Sequence, residues 1–249
     1  MSRIGPKRAL FNTVAPSIPS GGDPYWNNVT LLLNNTSGVL TDSSQYNHNV
    51  SNQNLNGSSS VITSTGQLLN PSVTPSSYYD GYSYLQAPYG VGLGSGDYTV
   101  EGWFYLTSYT GLHVNQSLEL FMIRNSVSTE FFVGYGGDAD SNFGKMNFVV
   151  GDTYPTDYSK QPTLPLNTWT HIAATRTGSL NTLWVNGSST LTLNYSGDPN
   201  YSGAHFCIGY AEYHVYDSPF RGYANQIRVT QGVCRYTSTF TPTFPYPTY

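Results

Sequence analysis

Charge is scarce in this sequence. Lys and Arg number 10 and Asp and Glu 14 in 249 residues, so only 10% of the side chains are charged and the formal balance is −4. That supply excludes a nucleic-acid partner, because phosphate backbones require a lysine- and arginine-rich footprint. Long apolar runs are missing too. No segment nears the roughly 20 consecutive apolar residues of a membrane-spanning helix, so no membrane partner is expected. The N-terminus offers only "ALF" where a secretory leader needs roughly 7–15 apolar residues. Cysteine is limited to Cys207 and Cys234, too few for a disulfide framework. The two could bridge, or each could fill a small apolar space; both readings stay open. The helix formers Ala, Lys and Glu are scarce, and Glu occurs four times, as Glu101, Glu119, Glu130 and Glu212.

What is abundant is Tyr, Gly, Ser, Thr and Asn, with 22 Tyr, 25 Gly, 11 Phe and 4 Trp. Aromatic and β-branched residues favour strands, and the chain reads as all-β. In "DYTVEGWFYLTS" (97–108), Val100, Phe104 and Leu106 alternate with Glu101, Trp103 and Tyr105. Apolar rings on both faces predict a central strand. Further strands are expected in "YWNNVTLLL" (25–33), near Val50 and Val61, and in "YLQAP" (84–88), "LELFMIRN" (118–125), "EFFVGYG" (130–136) and "KMNFVVGD" (145–152). The set continues with "TWTHIAATRTG" (168–178), "NTLWVNGSS" (181–189), "HFCIGY" (205–210) and "GYANQIRVTQG" (222–232). Asn186-Gly187 is a strong hairpin signal. About twelve strands at this spacing predict one β-sandwich or barrel, with a short helical turn at "GVCRY". Residues 1–24, ending "APSIPSGGDP", read as an extended arm and 25–249 as the domain.

The arm holds most of the chain's asymmetry. Arg3, Lys7 and Arg8 carry +3 within the first eleven residues, and with Phe11 they form a candidate anchor for an acidic partner surface. A solvated basic terminus is the alternative. A Pro-, Ser- and Gly-rich end of this kind is ordered only when something holds it, which points to a homo-oligomer or a larger assembly. The polar, Tyr-rich, Lys-poor composition looks extracellular. Without a leader, release by lysis, as for a virion protein, is consistent with it.

Six segments, taken in order, carry a resemblance. They are "DPYWNNVTLLLNN", "TDSSQYNHNVS", "YYDGYSYLQAP", "GSGDYTVEGWFYLTS", "LNTWTHIAATRTGSLNTLWVNG" and "FRGYANQIRVTQGVCRYTSTFTP". Together they resemble the concanavalin A-like lectin/glucanase superfamily, specifically the laminin-G-like jelly rolls of phage and marine-virus structural proteins. The resemblance implies an antiparallel jelly-roll sandwich and a virion-surface role as a capsid decoration or tail-associated protein. Its partners would be other virion proteins, reached through the arm, and host-surface glycans. The alternative is a free-standing carbohydrate-binding lectin. Viral relatives carry an acidic pair near the last strand, where this chain has Asn225-Gln226. That swap weakens the family's structural Ca²⁺ site, since calcium favours carboxylate oxygens. Asp42 could be a remnant ligand or the head of an Asx-turn.

Catalytic patterns are not met. Retaining glycosidases need two carboxyl groups about 5–5.5 Å apart, and the superfamily's Glu-x-Asp-x-x-Glu run is absent; "SLELF" holds one acid. His48, His113, His171, His205 and His214 are scattered, without a nucleophile elbow or zinc spacing. His171 reads as a hydrogen-bonded sheet residue, and no enzyme activity is expected. In "GGDADSNFG" (136–144), Asp138, Asp140 and Asn142 alternate like calcium ligands. Phe143 and Val149, however, stand where an EF-hand requires Gly and Glu. The stretch therefore reads as a hairpin tip, with Ca²⁺ as the second reading and no other cofactor. "YAEYHVYDSPF" (210–220) places Tyr210, Tyr213, His214 and Tyr216 in a loop. With Tyr135 and the 136–144 stretch, they are candidates for sugar stacking or a subunit interface.

Overall fold

The computed structural model describes residues 22–36, 39–54, 77–81, 83–88, 93–110, 117–124, 129–136, 144–155, 157–199, 205–209 and 218–248. The arm residues 1–21, Val61, and most of the 136–144 and 210–220 stretches lie outside this set. The described residues form fifteen strands and two 3₁₀ turns, Trp26–Asn28 and Tyr158–Lys160, with no helix long and apolar enough to cross a membrane. The first five strands are β1 (Val29–Thr36), β2 (Val39–Asp42), β3 (Ser51–Asn54), β4 (Ser77–Asp80) and β5 (Ser83–Gln86). Next come β6 (Tyr98–Ser108), β7 (Ser117–Arg124), β8 (Thr129–Gly136), β9 (Met146–Val150) and β10 (Trp169–Thr177). The last are β11 (Leu180–Val185), β12 (Ser188–Asn194), β13 (His205–Ile208), β14 (Ser218–Pro219) and β15 (Arg221–Gln231).

Two sheets result. One runs β12-β11-β10-β6-β15-β1-β2, with β4 also pairing β15; the other runs β3-β5-β13-β7-β8-β9, with β14 on β7. All named pairs are antiparallel except β14 with β7. Alternation along β6 decides which side chains meet. Val100, Phe104 and Leu106 enter the core between the sheets, beside Leu31, Ile172, Leu183 and Val229 of the same sheet. Leu118, Phe121, Phe131, Val133, Phe148 and Phe206 come from the facing sheet. Rings interlock across the gap: Phe104 meets Phe121 edge-on at 5.1 Å and Tyr98 meets Phe131 at 5.9 Å. Gly102 leaves room for this, since a Cβ there would run into the end of Ile227 and the Phe121 ring.

The central position expected for 97–108 is observed: β6 lies between β10 and β15. The additional strands are short or polar. β4 and β14 are short and pair with longer neighbours, while β12 starts on a Ser/Thr run before Leu191 and Leu193 alternate into the core. The expected helical turn at "GVCRY" does not form. Residues 232–236 run on as irregular chain, because Thr99 claims the backbone there: its hydroxyl donates to the Val233 carbonyl at 3.0 Å and accepts from the Arg235 N–H at 2.9 Å.

From there the C-terminal segment crosses the outer face of the eight-stranded sheet. The Phe240 N–H donates to the Gly187 carbonyl at 3.1 Å, its ring meets Trp184 at 5.7 Å, and Tyr246 packs with Val29 and Leu32. Asn186 and Gly187 both have positive φ, at 49° and 78°, as a two-residue hairpin of this type requires. A Cβ on Gly187 would strike the Phe240 carbonyl. Gly187→Ala is therefore expected to cost at least about 1–2 kcal/mol from the left-handed backbone alone, read by urea unfolding. Faster amide exchange at Phe240 should accompany it.

Candidate functional site

The densest polar chemistry lies beneath that segment. On β15, Asn225 faces Trp103 while Arg228 faces Glu101, so three steps along β15 match two along β6. This β-bulge places Gln226 at φ 53° and re-aims the side chains around it. The Gln226 N–H donates to Asn225 Oδ1 at 2.8 Å, and Gln226 Oε1 accepts the Tyr246 N–H at 2.8 Å. Beyond the bulge, Arg228 donates through Nε and Nη2 to Glu101 Oε1 at 2.8 and 2.6 Å, and through Nη1 to Asp23 Oδ2 at 3.1 Å. Its guanidinium lies 4.0 Å over the Tyr246 ring. Arg235 grips Asp23 with two hydrogen bonds of 2.9 and 2.8 Å. The Tyr236 hydroxyl donates to Glu101 Oε2 at 2.8 Å. His171 Nε2 stands 3.1 Å from that oxygen and 3.0 Å from Tyr246 Oη. A carboxylate can only accept, which places a proton on Nε2, while Nδ1 is buried with no hydrogen-bond partner among the described residues.

Glu101 and His171 are fully buried, and Asp23, Arg228 and Tyr246 nearly so. Charges in such a place persist only when paired and hydrogen-bonded; here two carboxylates meet two guanidiniums. Burial alone would raise the Glu101 carboxyl, but Arg228, with His171 and Arg235 behind it, overrides that and holds it well below the ordinary range. Burial pushes the Tyr236 hydroxyl up and the adjacent Glu101 charge adds to it; Tyr246 is raised the same way. A glycosidase acid needs the reverse, a carboxyl kept protonated near neutrality. This arrangement is a charged clamp.

The sandwich has counterparts in known proteins. Residues 79–234 match the laminin-G-type family described as the concanavalin A-like lectin/glucanases superfamily. The chain belongs to that superfamily. No curated protein matches the sequence. Among solved structures, it is similar to domain 4 of AbnA, an extracellular GH43 arabinanase from Geobacillus stearothermophilus in complex with arabinotriose. That match has 15% identity and a TM-score of 0.57, over 83% of this chain and 94% of that one. It is also similar to botulinum neurotoxin type C, described as dependent on two ganglioside molecules to enter cells (12% identity, TM-score 0.56, 82% of this chain and 48% of that one). The binding domain of Paraclostridial Mosquitocidal Protein 1 matches with 13% identity and a TM-score of 0.57, over 83% and 49%. The chain thus spans about half the length of the two toxin structures. At these identities the likeness establishes the superfamily fold alone.

On that superfamily sandwich the residues singled out from sequence fall in different places. Tyr135 lies wholly in the core, edge-on to Tyr109 at 5.9 Å, so its ring faces protein and cannot stack a sugar. Asp138, Asp140, Asn142, Tyr210, Tyr213, His214 and Tyr216 lie outside the described residues, as do Arg3, Lys7, Arg8 and Phe11. β8 and β9 pair antiparallel, with the Gly144 N–H donating to the Gly136 carbonyl at 2.8 Å, while residues 137–143 between them lie outside the described residues. The buried Asp42 carboxylate accepts from the N–H groups of Leu32, Ser44 and His48 and from the Ser44 hydroxyl, at 2.8–2.9 Å. Four donors on two oxygens describe a turn cap. Among the described residues no group of three His, Cys, Asp or Glu side chains could hold a metal ion. Cys207 and Cys234 are both free thiols. Asp23, read as part of the arm, is instead held in the domain by two arginines.

Sequence reading did not find the clamp. The available signal was Glu101 and Arg228 in otherwise apolar strands of a chain with few charges. Because the Glu101 carboxyl is depressed in the folded state, the stability it contributes is fully present above its ordinary value of 4.5 and is lost as pH falls below that. Glu101→Gln should lower stability near pH 7 by about 3–5 kcal/mol. The gap to the unsubstituted chain should narrow by about 1.4 kcal/mol per pH unit below that ordinary value, measured by urea titration.

Proposed function

We propose that the chain is a non-enzymatic carbohydrate-recognition domain displayed on a virion surface, as a capsid decoration or tail-associated protein. The observation that carries the recognition half is a superfamily sandwich whose clamp carboxylates, Glu101 and Asp23, are buried and paired with Arg228 and Arg235. Glu101, held well below the ordinary carboxylate range by Arg228, can brace a binding scaffold but is poorly suited to deliver a proton to a glycosidic oxygen. The arabinotriose bound to the arabinanase domain and the gangliosides of the neurotoxin agree with sugar as the ligand class. The virion half rests on the resemblance of "GYANQIRVTQGVCRY" to viral members and on the basic arm carrying Arg3, Lys7, Arg8 and Phe11.

Calcium has no part in this reading. Asn225 and Gln226 are committed to the bulge and to the C-terminal segment, and Asp42 to its turn. A glycan array with calorimetry should find sugar binding that is unchanged when Ca²⁺ is removed; strictly calcium-dependent binding would favour the classical lectin alternative. Deleting residues 1–21, which spares Asp23, should leave the melting temperature unchanged while preventing incorporation into particles. Normal incorporation of that variant would rule out anchoring through the arm.

A further inference from the structure

Beside the clamp, an aromatic surface forms where the domain begins. Tyr46 is 53% exposed and Tyr25 40%, so two of the large apolar side chains left most open to solvent lie on two neighbouring connections. The first connection is the Trp26–Asn28 turn with Tyr25; the second is the loop from Ser43 to Asn49 after β2. Gln45 joins them, its Nε2 donating to the Asn27 carbonyl at 3.1 Å.

The second loop is fixed from beneath. The four hydrogen bonds accepted by Asp42 tie Ser44 and His48 to the start of the sheet. The Asn47 N–H donates to the Ser44 carbonyl at 3.2 Å, and Asn47 sits in the left-handed region at φ 46°. On this frame the rings of Tyr46 and His48 lie parallel within 5°, their centroids 5.7 Å apart. None of those bonds involves the Tyr46 ring, so the turn would close with any side chain there. The fold therefore does not account for a rigid, half-exposed tyrosine at this position.

The surroundings are polar and uncharged. Asn27, Gln45, Asn47 and Asn49 are exposed amides on the same two connections, and residues 43–49 contain no Lys, Arg, Asp or Glu. The Asp42 carboxylate is buried, and Arg235, 5.2 Å over the Tyr25 ring, is neutralised by Asp23. An aromatic face matches the apolar C–H face of a sugar ring, and amides both donate to and accept from hydroxyls. A loop already held in place loses little freedom on binding. We propose that Tyr46, stacked on His48, is the platform of a binding site for a neutral saccharide, with the amides of Asn27, Gln45 and Asn47 supplying hydrogen bonds. This assignment rests on the carbohydrate-recognition reading and gives it a location and a ligand class.

The test uses the full chain and five neutral probes: maltohexaose, cellohexaose, laminarihexaose, arabinohexaose and N-acetylchitohexaose, followed by saturation-transfer NMR and calorimetry. At least one should bind, with its ring protons receiving saturation. Tyr46→Ala should weaken that binding by about tenfold or more, equivalent to roughly 1.4 kcal/mol, with an unchanged melting temperature. Tyr46→Phe should stay within about twofold, and so should Tyr154→Ala, a tyrosine 52% exposed elsewhere. If a probe binds and Tyr46→Ala binds it equally well, the platform is overturned while the wider reading stands. If the unsubstituted chain binds none of the five, both are overturned.

Discussion

Glu101 and Arg228 face each other across β6 and β15 on the outer face of the larger sheet, each buried and each useless to the fold without the other. Two guanidinium N–H groups meet one carboxylate oxygen there. The remaining oxygen and the remaining N–H groups must then be matched in turn, because an ion taken out of water tolerates no unmatched valence. That requirement recruits Tyr236 and His171 on one side and Asp23 on the other. Through Asp23 it recruits Arg235. The path of residues 232–248 over this part of the sheet face follows from satisfying one pair, with Tyr236, Phe240 and Tyr246 closing over His171 and Phe244 over Trp103.

Much of the fold was legible in the sequence because strand period and turn chemistry are local. Val100, Phe104 and Leu106 declare the inner face of β6 by alternation alone, and Asn186-Gly187 declares its hairpin by the backbone angles it must adopt. The clamp was not legible, since its members come from positions 23, 101, 171, 228, 235, 236 and 246, and no window along the chain holds more than a few of them. The bulge illustrates the limit well. "GYANQIRVT" reads as a strand and is one, yet one extra residue in it decides that Gln226 holds Tyr246 and that Arg228 reaches Glu101. Asn225-Gln226 looked like a lost calcium site; these two amides instead set the bulge and anchor the segment that covers the sheet. Asp42, the other candidate ligand, became legible in the same way, as an acceptor with every lone pair directed at its own turn.

Membership of the concanavalin A-like superfamily does not choose between binding and catalysis, because its sandwich supports both. Within the clamp, Arg228 holds the Glu101 carboxyl well below the ordinary range, so that this carboxylate braces the sheet. The loop under Tyr46 is built the same way on a smaller scale: one buried carboxylate, Asp42, fixes the backbone, and an aromatic surface is carried on top of it.

The bond between Asp23 and Arg235 spans 212 residues. Contacts so distant in sequence form late, after the cost of closing the intervening chain has been met. A polypeptide still emerging from the ribosome could pair β6 with β10 and close the hairpin at Gly187, yet Glu101 would meet His171 without a guanidinium partner until Arg228 had been made. Until Arg228 and Arg235 are in place, the carboxylates of Glu101 and Asp23 lack the guanidinium partners that make their burial tolerable.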